Sequence, residues 1–275
     1  MSDQLRIAYL GPVATYTHQA ARQTFGRGER YLPAESVGDV FSMVQQGFAD
    51  RGVAPVENSN EGVVTSTLDL LIDSRQFISG EIILPIRHML LSREPTLDNI
   101  RTVYSHPQAL AQCRQWLGRN LSEAKLKDAR STAEAATLCA EVPGTAAVAG
   151  ELTSELYEVP ILESDIGDWE ENLTRFLIIS NGMVPPTGSD KTSVVLSIKD
   201  RVGALYEILK PFGENGINLT KIESRPSRKK AWDYVFFVDI EGHINDPMVN
   251  ATLKEVKVYC EEMKVLGSYP KGTVK

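Results

Sequence analysis

Asn181-Gly182-Met183-Val184-Pro185-Pro186-Thr187-Gly188-Ser189-Asp190 is the stretch that divides this chain. Two prolines, two glycines and no apolar period make it a linker, with residues 183–190 as its body. Beyond it the pattern runs strand 192–198, helix 202–213, strand 217–224, strand 232–240, helix 247–262 and strand 263–269. That βαββαβ order predicts a ferredoxin-like sandwich over 191–275. A sheet edge left open in a domain of this size often pairs with a second copy.

Upstream of the linker, strand-like runs alternate with helical patterns. The order is strand 5–10, helix 16–25, a helix opened by Ser36 with Asp39 as its capping-box partner, strand 52–56, helix 62–74, and an extended stretch 77–91 broken at Pro85. Strand 102–104, helix 108–117, strand 125–129, helix 132–141, strand 146–148, a short helix over 150–157 and strand 174–180 follow. The alternation predicts an α/β architecture with mostly parallel sheets. Residues 1–182 are expected to form two α/β lobes, 1–80 with 161–182 and 81–160, with a ligand cleft between them. With a strand read from residue 5, no N-terminal helical domain is expected in this chain.

At 275 residues the chain has the length of about two domains. Its net charge of -7 is uneven: residues 1–189 carry 15 Lys and Arg against 24 Asp and Glu, whereas residues 190–275 carry 14 against 12. An acidic first part argues against a nucleic-acid partner, which needs clustered cations. Cys113, Cys139 and Cys260 show no CxxC spacing, and His18, His88, His106 and His243 show no metal-ligand pattern. No cofactor or metal is expected. The start of the chain lacks a signal-peptide core and no apolar run approaches the ~20 residues of a membrane span. A cytoplasmic protein without a membrane partner is expected.

Four strand-to-helix junctions carry polar residues of one kind. Gly11-Pro12-Val13-Ala14-Thr15-Tyr16-Thr17 brings hydroxyls and a helix N-terminus to a sheet edge, a setting suited to a carboxylate. A plain turn with threonine caps reads the same way. Ala54-Pro55-Val56-Glu57-Asn58-Ser59-Asn60-Glu61-Gly62 follows a strand and precedes a helix, as ligand loops of open α/β sheets do; capping by Ser59 or Asn60 explains it equally. Tyr104-Ser105-His106-Pro107-Gln108, with Gln112 one turn on, and Ser131-Thr132 repeat the geometry. The acidic run 163–172 reads as a surface loop or as a flap over the cleft. It leads into Thr174-Arg175-Phe176, a hydroxyl and a fixed cation side by side at the head of an apolar strand.

Together these segments resemble the prephenate dehydratase family with its C-terminal ACT regulatory domain. The family's G-P-x-G-T-[FY]-[ST] start, V-P-x-E-N-S loop, S-H-x-Q segment and T-R-F triplet stand here at 11–17, 54–59, 104–113 and 174–176. Its G-A-L loop and E-S-R-P stand at 203–205 and 223–226. Ala14 departs from the family's glycine, a residue strained there if φ is positive.

The resemblance implies a periplasmic-binding-protein-like bilobal part, and conversion of prephenate to phenylpyruvate with loss of CO2 and water. It implies Thr174 as donor to the departing hydroxyl, by hydrogen bond or by full proton transfer. Arg175 is implied as carboxylate partner or loop holder, and Glu57 as supporting acid. Thr15, Asn58, Ser59, Ser105, Gln112, Thr132 and Phe176 would line the site. L-Phenylalanine is the implied feedback effector, held by Gly203, Ala204, Leu205, Asn218, Leu219, Glu223, Ser224 and Arg225 in a homodimer or homotetramer. Arogenate dehydratase and a non-catalytic amino-acid sensor are the alternatives.

Overall fold

The structure, a computed structural model, describes residues 4–198, 201–227 and 234–274; positions 232 and 233 of the expected strand 232–240 lie outside these. In chain order the first segment is β1 (Arg6–Leu10), α1 (Tyr16–Phe25), β2 (Arg30–Ala34), α2 (Val37–Gln45), β3 (Arg51–Asn58), β4 (Gly62–Val63), α3 (Thr65–Asp73) and β5 (Phe77–Pro85). The next is β6 (Met89–Ser92), β7 (Thr102–Ser105), α4 (Pro107–Gln112), α5 (Arg114–Asn120), β8 (Lys125–Asp128), α6 (Thr132–Glu141), β9 (Thr145–Ala149), α7 (Glu151–Tyr157) and β10 (Ile161–Glu163). β11 (Leu173–Ser180) returns to the first sheet. β12 (Asp190–Ile198), α8 (Ala204–Glu214), β13 (Leu219–Pro226), β14 (Tyr234–Glu241), α9 (Pro247–Tyr259) and β15 (Cys260–Pro270) complete the chain.

The first sheet has the order β2-β1-β3-β11-β5, with β4 added to β3; the second is β10-β6-β9-β7-β8 and the third β13-β14-β12-β15. Among the described strands, parallel pairing holds for β2-β1-β3 and β9-β7-β8. The strands that carry the chain between lobes run antiparallel to their neighbours. The expected lobe limits shift accordingly. All of β5 belongs to the first sheet, and β10 belongs to the second, so the crossings lie at 86–88 and 164–172 rather than at 80 and 161.

Local sequence explains most elements. Ser36 and Asp39 form the capping box of α2, each side chain bonded to the other's backbone N–H. β2 escaped the sequence reading because Pro33 interrupts its donors, which an edge strand tolerates. The expected helix 62–74 starts only at Thr65, since Gly62 and Val63 pair with Asn58 and Glu57. The expected helix 108–117 is two helices broken at Cys113. The Asp168 carboxylate accepts from the N–H groups of Gln115 (2.8 Å) and Trp116 (3.0 Å), capping the second from the acidic loop.

Apolar packing follows the layers. Ala20 and Ala21 of α1 press on Ile7, Tyr9, Val53 and Phe176. Val194, Leu196, Ile208, Phe212, Leu253 and Val256 fill the sandwich. One cluster crosses between the first sheet and the sandwich, joining Ala54, Val56, Leu177 and Ile179 to Val195, Phe237, Leu266 and Tyr269. The two parts are therefore docked face to face, as packed sheets.

Candidate active site

A cavity of about 380 Å³ opens between the lobes, within the size range of small-molecule sites. Leu10, Pro55, Val64, Ile86 and Phe176 give it an apolar wall. Thr15, Tyr16 and Thr17 bring the first turn of α1, and Ser131 and Thr132 the first turn of α6. The partial positive charge of those helix ends favours an anion. Asn58, His88, His106, Gln108, Gln112 and Thr174 add polar groups, and Arg130 is the one cation among the lining residues. None of the lining residues is acidic.

The Asn58 amide is fixed from both ends. Its Oδ1 accepts from the backbone N–H groups of Asn60 and Glu61, both at 3.0 Å. Its Nδ2 must then face β11, where it donates to Thr174 Oγ1 at 2.9 Å and to Asn172 Oδ1 at 2.7 Å. A hydroxyl has one proton and two lone pairs. With Asn58 occupying a lone pair, the Thr174 proton is directed away from the amide, and Thr174 lines the cavity.

A bulge sets this up. Thr174 and Arg175 pair with Asn58 and Glu57, but Phe176 pairs with Pro55, so Val56 is an extra residue in β3. Pro55 and Asn58, three apart, can thus both line the cavity.

The polar chain continues across the cleft. Asn172 Nδ2 donates to Gln112 Oε1 (3.0 Å), and Gln112 Nε2 donates to Glu61 (3.1 Å). His88 Nε2 lies 2.7 Å from the same Gln112 oxygen, which can only accept, so Nε2 carries the ring proton. His88 Nδ1 then accepts from the Tyr16 hydroxyl at 2.8 Å. Burial holds the His88 pKa below the ordinary value, keeping the ring neutral, with the Gln112 bond opposing that shift. Groups from both lobes and both crossings are thereby locked in one arrangement.

Several expected site residues do not face the cavity. Ser105 is fully buried and donates to the Val148 carbonyl at 2.6 Å, tying β7 to the end of β9. Ser59 Oγ accepts from the Leu173 N–H and anchors the β3–β11 end. Arg175 and Glu57 alternate with Thr174 and Asn58 and point to the opposite sheet face. There Arg175 meets Glu81 (2.6 Å) and Asp239 (2.7 Å), and Glu57 meets Lys221 (2.7 Å). Arg175 therefore holds neither a pocket carboxylate nor a loop but bridges the first sheet and the sandwich, and Glu57 is no pocket acid. Burial opposes the charge of Arg175, yet Tyr269, Asp239 and Glu81 overcome it and keep the guanidinium ionised. Thr15, Asn58, Gln112, Thr132, Thr174 and Phe176 do converge.

Sequence reasoning did not single out Tyr16, His88, Asn172 or Arg130. His88 lies in the extended run 77–91, where nothing marks it, and Arg130 differs from other exposed arginines only by preceding a helix that starts at the cleft.

Ala14 has φ of 68°, the left-handed conformation in which a side chain is strained. Its N–H donates to His18 Nδ1 (3.1 Å), and His18 stacks on Tyr9 with ring centroids 4.4 Å apart.

In the sandwich, strand register places Ser224 beside Phe236, and Phe236 beside Leu196, toward the end of the sheet where β12 finishes. Leu219 lies beside Ile240, which lies beside Thr192, at the opposite end. Gly203-Ala204-Leu205 and Asn218-Leu219 are thus not brought together within one chain. Glu223 and Arg225 share the face turned to the catalytic sheet, and Arg225 reaches Asp69 of α3 at 3.6 Å.

Fold and pocket define a two-lobed α/β domain with a cleft between its lobes, carrying a docked ferredoxin-like sandwich. Residues 7–184 match the prephenate dehydratase family and residues 192–258 match the ACT domain. A bifunctional chorismate mutase/prephenate dehydratase of Aquifex aeolicus is 50% identical over 272 residues, covering 99% of this chain and 75% of that protein. The solved prephenate dehydratase of Arthrobacter aurescens, in complex with L-Phe, has a TM-score of 0.88 at 34% identity, covering 97% of this chain and 90% of that one. A structure described as a novel type of quorum quenching acylase also gives 0.88, at 30% identity over 97% of both chains. The chain belongs to the prephenate dehydratase family.

Proposed function

We propose that the chain converts prephenate to phenylpyruvate, with Thr174 assisting departure of the ring hydroxyl. Breaking the ring–carboxylate bond releases CO2 and pushes its electron pair into the ring. The ring becomes aromatic as the C–O pair leaves with oxygen, so a dianion becomes a monoanion, CO2 and hydroxide. The developing charge is on the departing oxygen, where a preoriented donor contributes about 10²–10³ in rate. The observation that carries this reading is the Asn58 amide at Thr174 Oγ1, which occupies a lone pair and leaves the hydroxyl proton free to be donated to a ligand in the cavity.

The two helix N-termini and Arg130 provide for the carboxylates, and the apolar wall for the ring. A pocket lined by one cation and no acid suits the keto acid better than arogenate, whose ammonium needs an acceptor. For the acylase alternative, a nucleophile needs an adjacent base. Among the described residues, the hydrogen-bond partner of the Thr174 side chain is the Asn58 amide. Purified protein incubated with prephenate should form phenylpyruvate, followed by its absorbance, and should turn arogenate over more slowly. No phenylpyruvate from prephenate ends the reading.

L-Phenylalanine is the effector we favour, bound where the 201–205 loop of one copy meets the Asn218–Leu219 end of another. Supporting this are the opposite placement of those segments within a chain and the open edge of β13, with Ile222 exposed. Dimerisation, with tetramers as a further step, follows from that reading. No helix is long and apolar enough to cross a membrane among the described residues. The three unpaired thiols fit a reducing, cytoplasmic setting.

A further inference from the structure

Each of the four strands of the sandwich sends one polar side chain to the same spot on the catalytic sheet. They are Lys191 of β12, Lys221 of β13, Asp239 of β14 and Tyr269 of β15. They meet Glu57 of β3, Arg175 of β11 and Glu81 of β5, and the three positive and three negative charges balance. Lys191 lies 2.9 Å from Glu81, and the Tyr269 hydroxyl accepts from Arg175 Nη2 at 3.0 Å. Ser193 bonds both Asp239 (2.5 Å) and Tyr269 (2.6 Å), fixing their positions from within the sandwich.

The cluster is dry at its centre, where the side chains of Glu81, Asp239 and Arg175 are 1%, 9% and 12% exposed, and opens to solvent at Glu57, 37% exposed. Buried ion networks contribute little to stability beyond what apolar residues of the same size would supply. The apolar contact around this one already joins the two sheets. The charges are placed for position instead. Arg175 and Glu57 form one rung of the β3–β11 ladder, and Thr174 and Asn58 form the next. Alternation along each strand puts one rung in the ion cluster and its neighbour in the cavity. The ion cluster and the Asn58–Thr174 pair thus occupy adjacent rungs of one ladder, on opposite faces of the same sheet.

We infer that Arg175 and Glu57 are positioning residues through which the sandwich sets the Asn58–Thr174 geometry and so the rate of the elimination. The handle on the effector side is Lys221, two residues after Leu219 on β13. This rests on the dehydratase reading above. Coupling of this kind needs an element that both sites bias; here it is the register and tilt of β3 against β11.

The test uses the full chain and the variants Asp239→Asn, Tyr269→Phe and Lys221→Met. For each we measure kcat and KM for prephenate, inhibition by L-phenylalanine, and thermal stability. Asp239→Asn should lower kcat at least about tenfold with KM changed less than about threefold. Tyr269→Phe, which deletes one hydroxyl, should lower kcat in the same sense and carries the test if Asp239→Asn does not fold. Lys221→Met should weaken phenylalanine inhibition at least about tenfold. Asp239→Asn combined with Thr174→Ala should be no slower than Thr174→Ala alone, a non-additivity that a purely structural role does not produce. Wild-type kcat and wild-type inhibition in folded Tyr269→Phe and Lys221→Met overturn the inference while leaving the dehydratase reading intact. A wild-type chain inactive on prephenate overturns that reading instead.

Discussion

Asn58 and Thr174 are register partners across β3 and β11, and the Asn58 amide donates to the Thr174 hydroxyl at 2.9 Å. Both acceptor positions of the Asn58 carbonyl oxygen are taken by backbone N–H groups, so the amide cannot reverse. A weakly acidic hydroxyl thereby keeps its proton free for donation, since the amide beside it can only donate. Asn58→Asp keeps the contacts to Asn60 and Glu61 but replaces the NH2 with an acceptor, and the Thr174 proton turns to that carboxylate. We expect kcat to fall by about 10²-fold, and Asn58→Asp with Thr174→Ala to be no slower than Thr174→Ala. Steady-state kinetics on the three variants check it; additive losses would contradict it.

Arg130 is the lining cation, and its guanidinium is exposed at the rim beside Glu134 at 2.7 Å. An exposed charge acts on a dianion over a short, salt-screened range. Arg130→Gln should raise KM for prephenate about three- to tenfold, with kcat nearly unchanged and the salt dependence of kcat/KM reduced. An unchanged KM at low salt would place the carboxylates elsewhere.

His18 is buried against Tyr9, and burial, with Arg22 adding to it, holds its imidazole down to about 4. The folded state thus prefers the neutral ring, while the unfolded chain takes up a proton near 6.5. Its contribution to stability is present above 6.5 and is lost as pH falls toward 4, a change on the order of 1–3 kcal/mol. Thermal melting across that window should show a declining Tm, with a shallower slope in His18→Gln. Equal slopes would remove His18 from the account.

Lys264 of β15 donates from Nζ to the carbonyls of Leu71 (2.8 Å) and Ile72 (2.9 Å) and to that of Ser74, capping the C-terminus of α3 from the sandwich. Those carbonyls are the unpaired acceptors of a helix end. Burial lowers the Lys264 pKa, with Asp73 opposing. Lys264→Met should cost about 1–3 kcal/mol, read as a lower Tm with kcat retained. A Tm equal to wild type would show that water replaces the lysine.

Much of this was legible before any fold was seen. The βαββαβ order after Asp190, the Ser36–Asp39 cap and the convergence of residues near 15, 58, 112, 132 and 174 all follow from local pattern. Arg175 was misleading because adjacency in a strand means opposite faces, and sequence alone does not say which face meets the cavity. Glu57 failed for the same reason, one rung across. Ser105 sits at a strand end suited to ligand contact, but its hydroxyl is spent on the Val148 carbonyl. His88 and Asn172 stand on the crossings between lobes, where no period or motif marks them; only the closed hydrogen-bond chain from Tyr16 to Thr174 does.

The central claim is that the Thr174 hydroxyl stabilises the departing oxygen. Kinetics of Thr174→Ala with prephenate test it most directly. We expect kcat to fall by about 10²–10³-fold while KM stays within about threefold, with Thr174→Ser regaining a substantial part of the loss. A Thr174→Ala enzyme that keeps the kcat of the wild type would contradict the account.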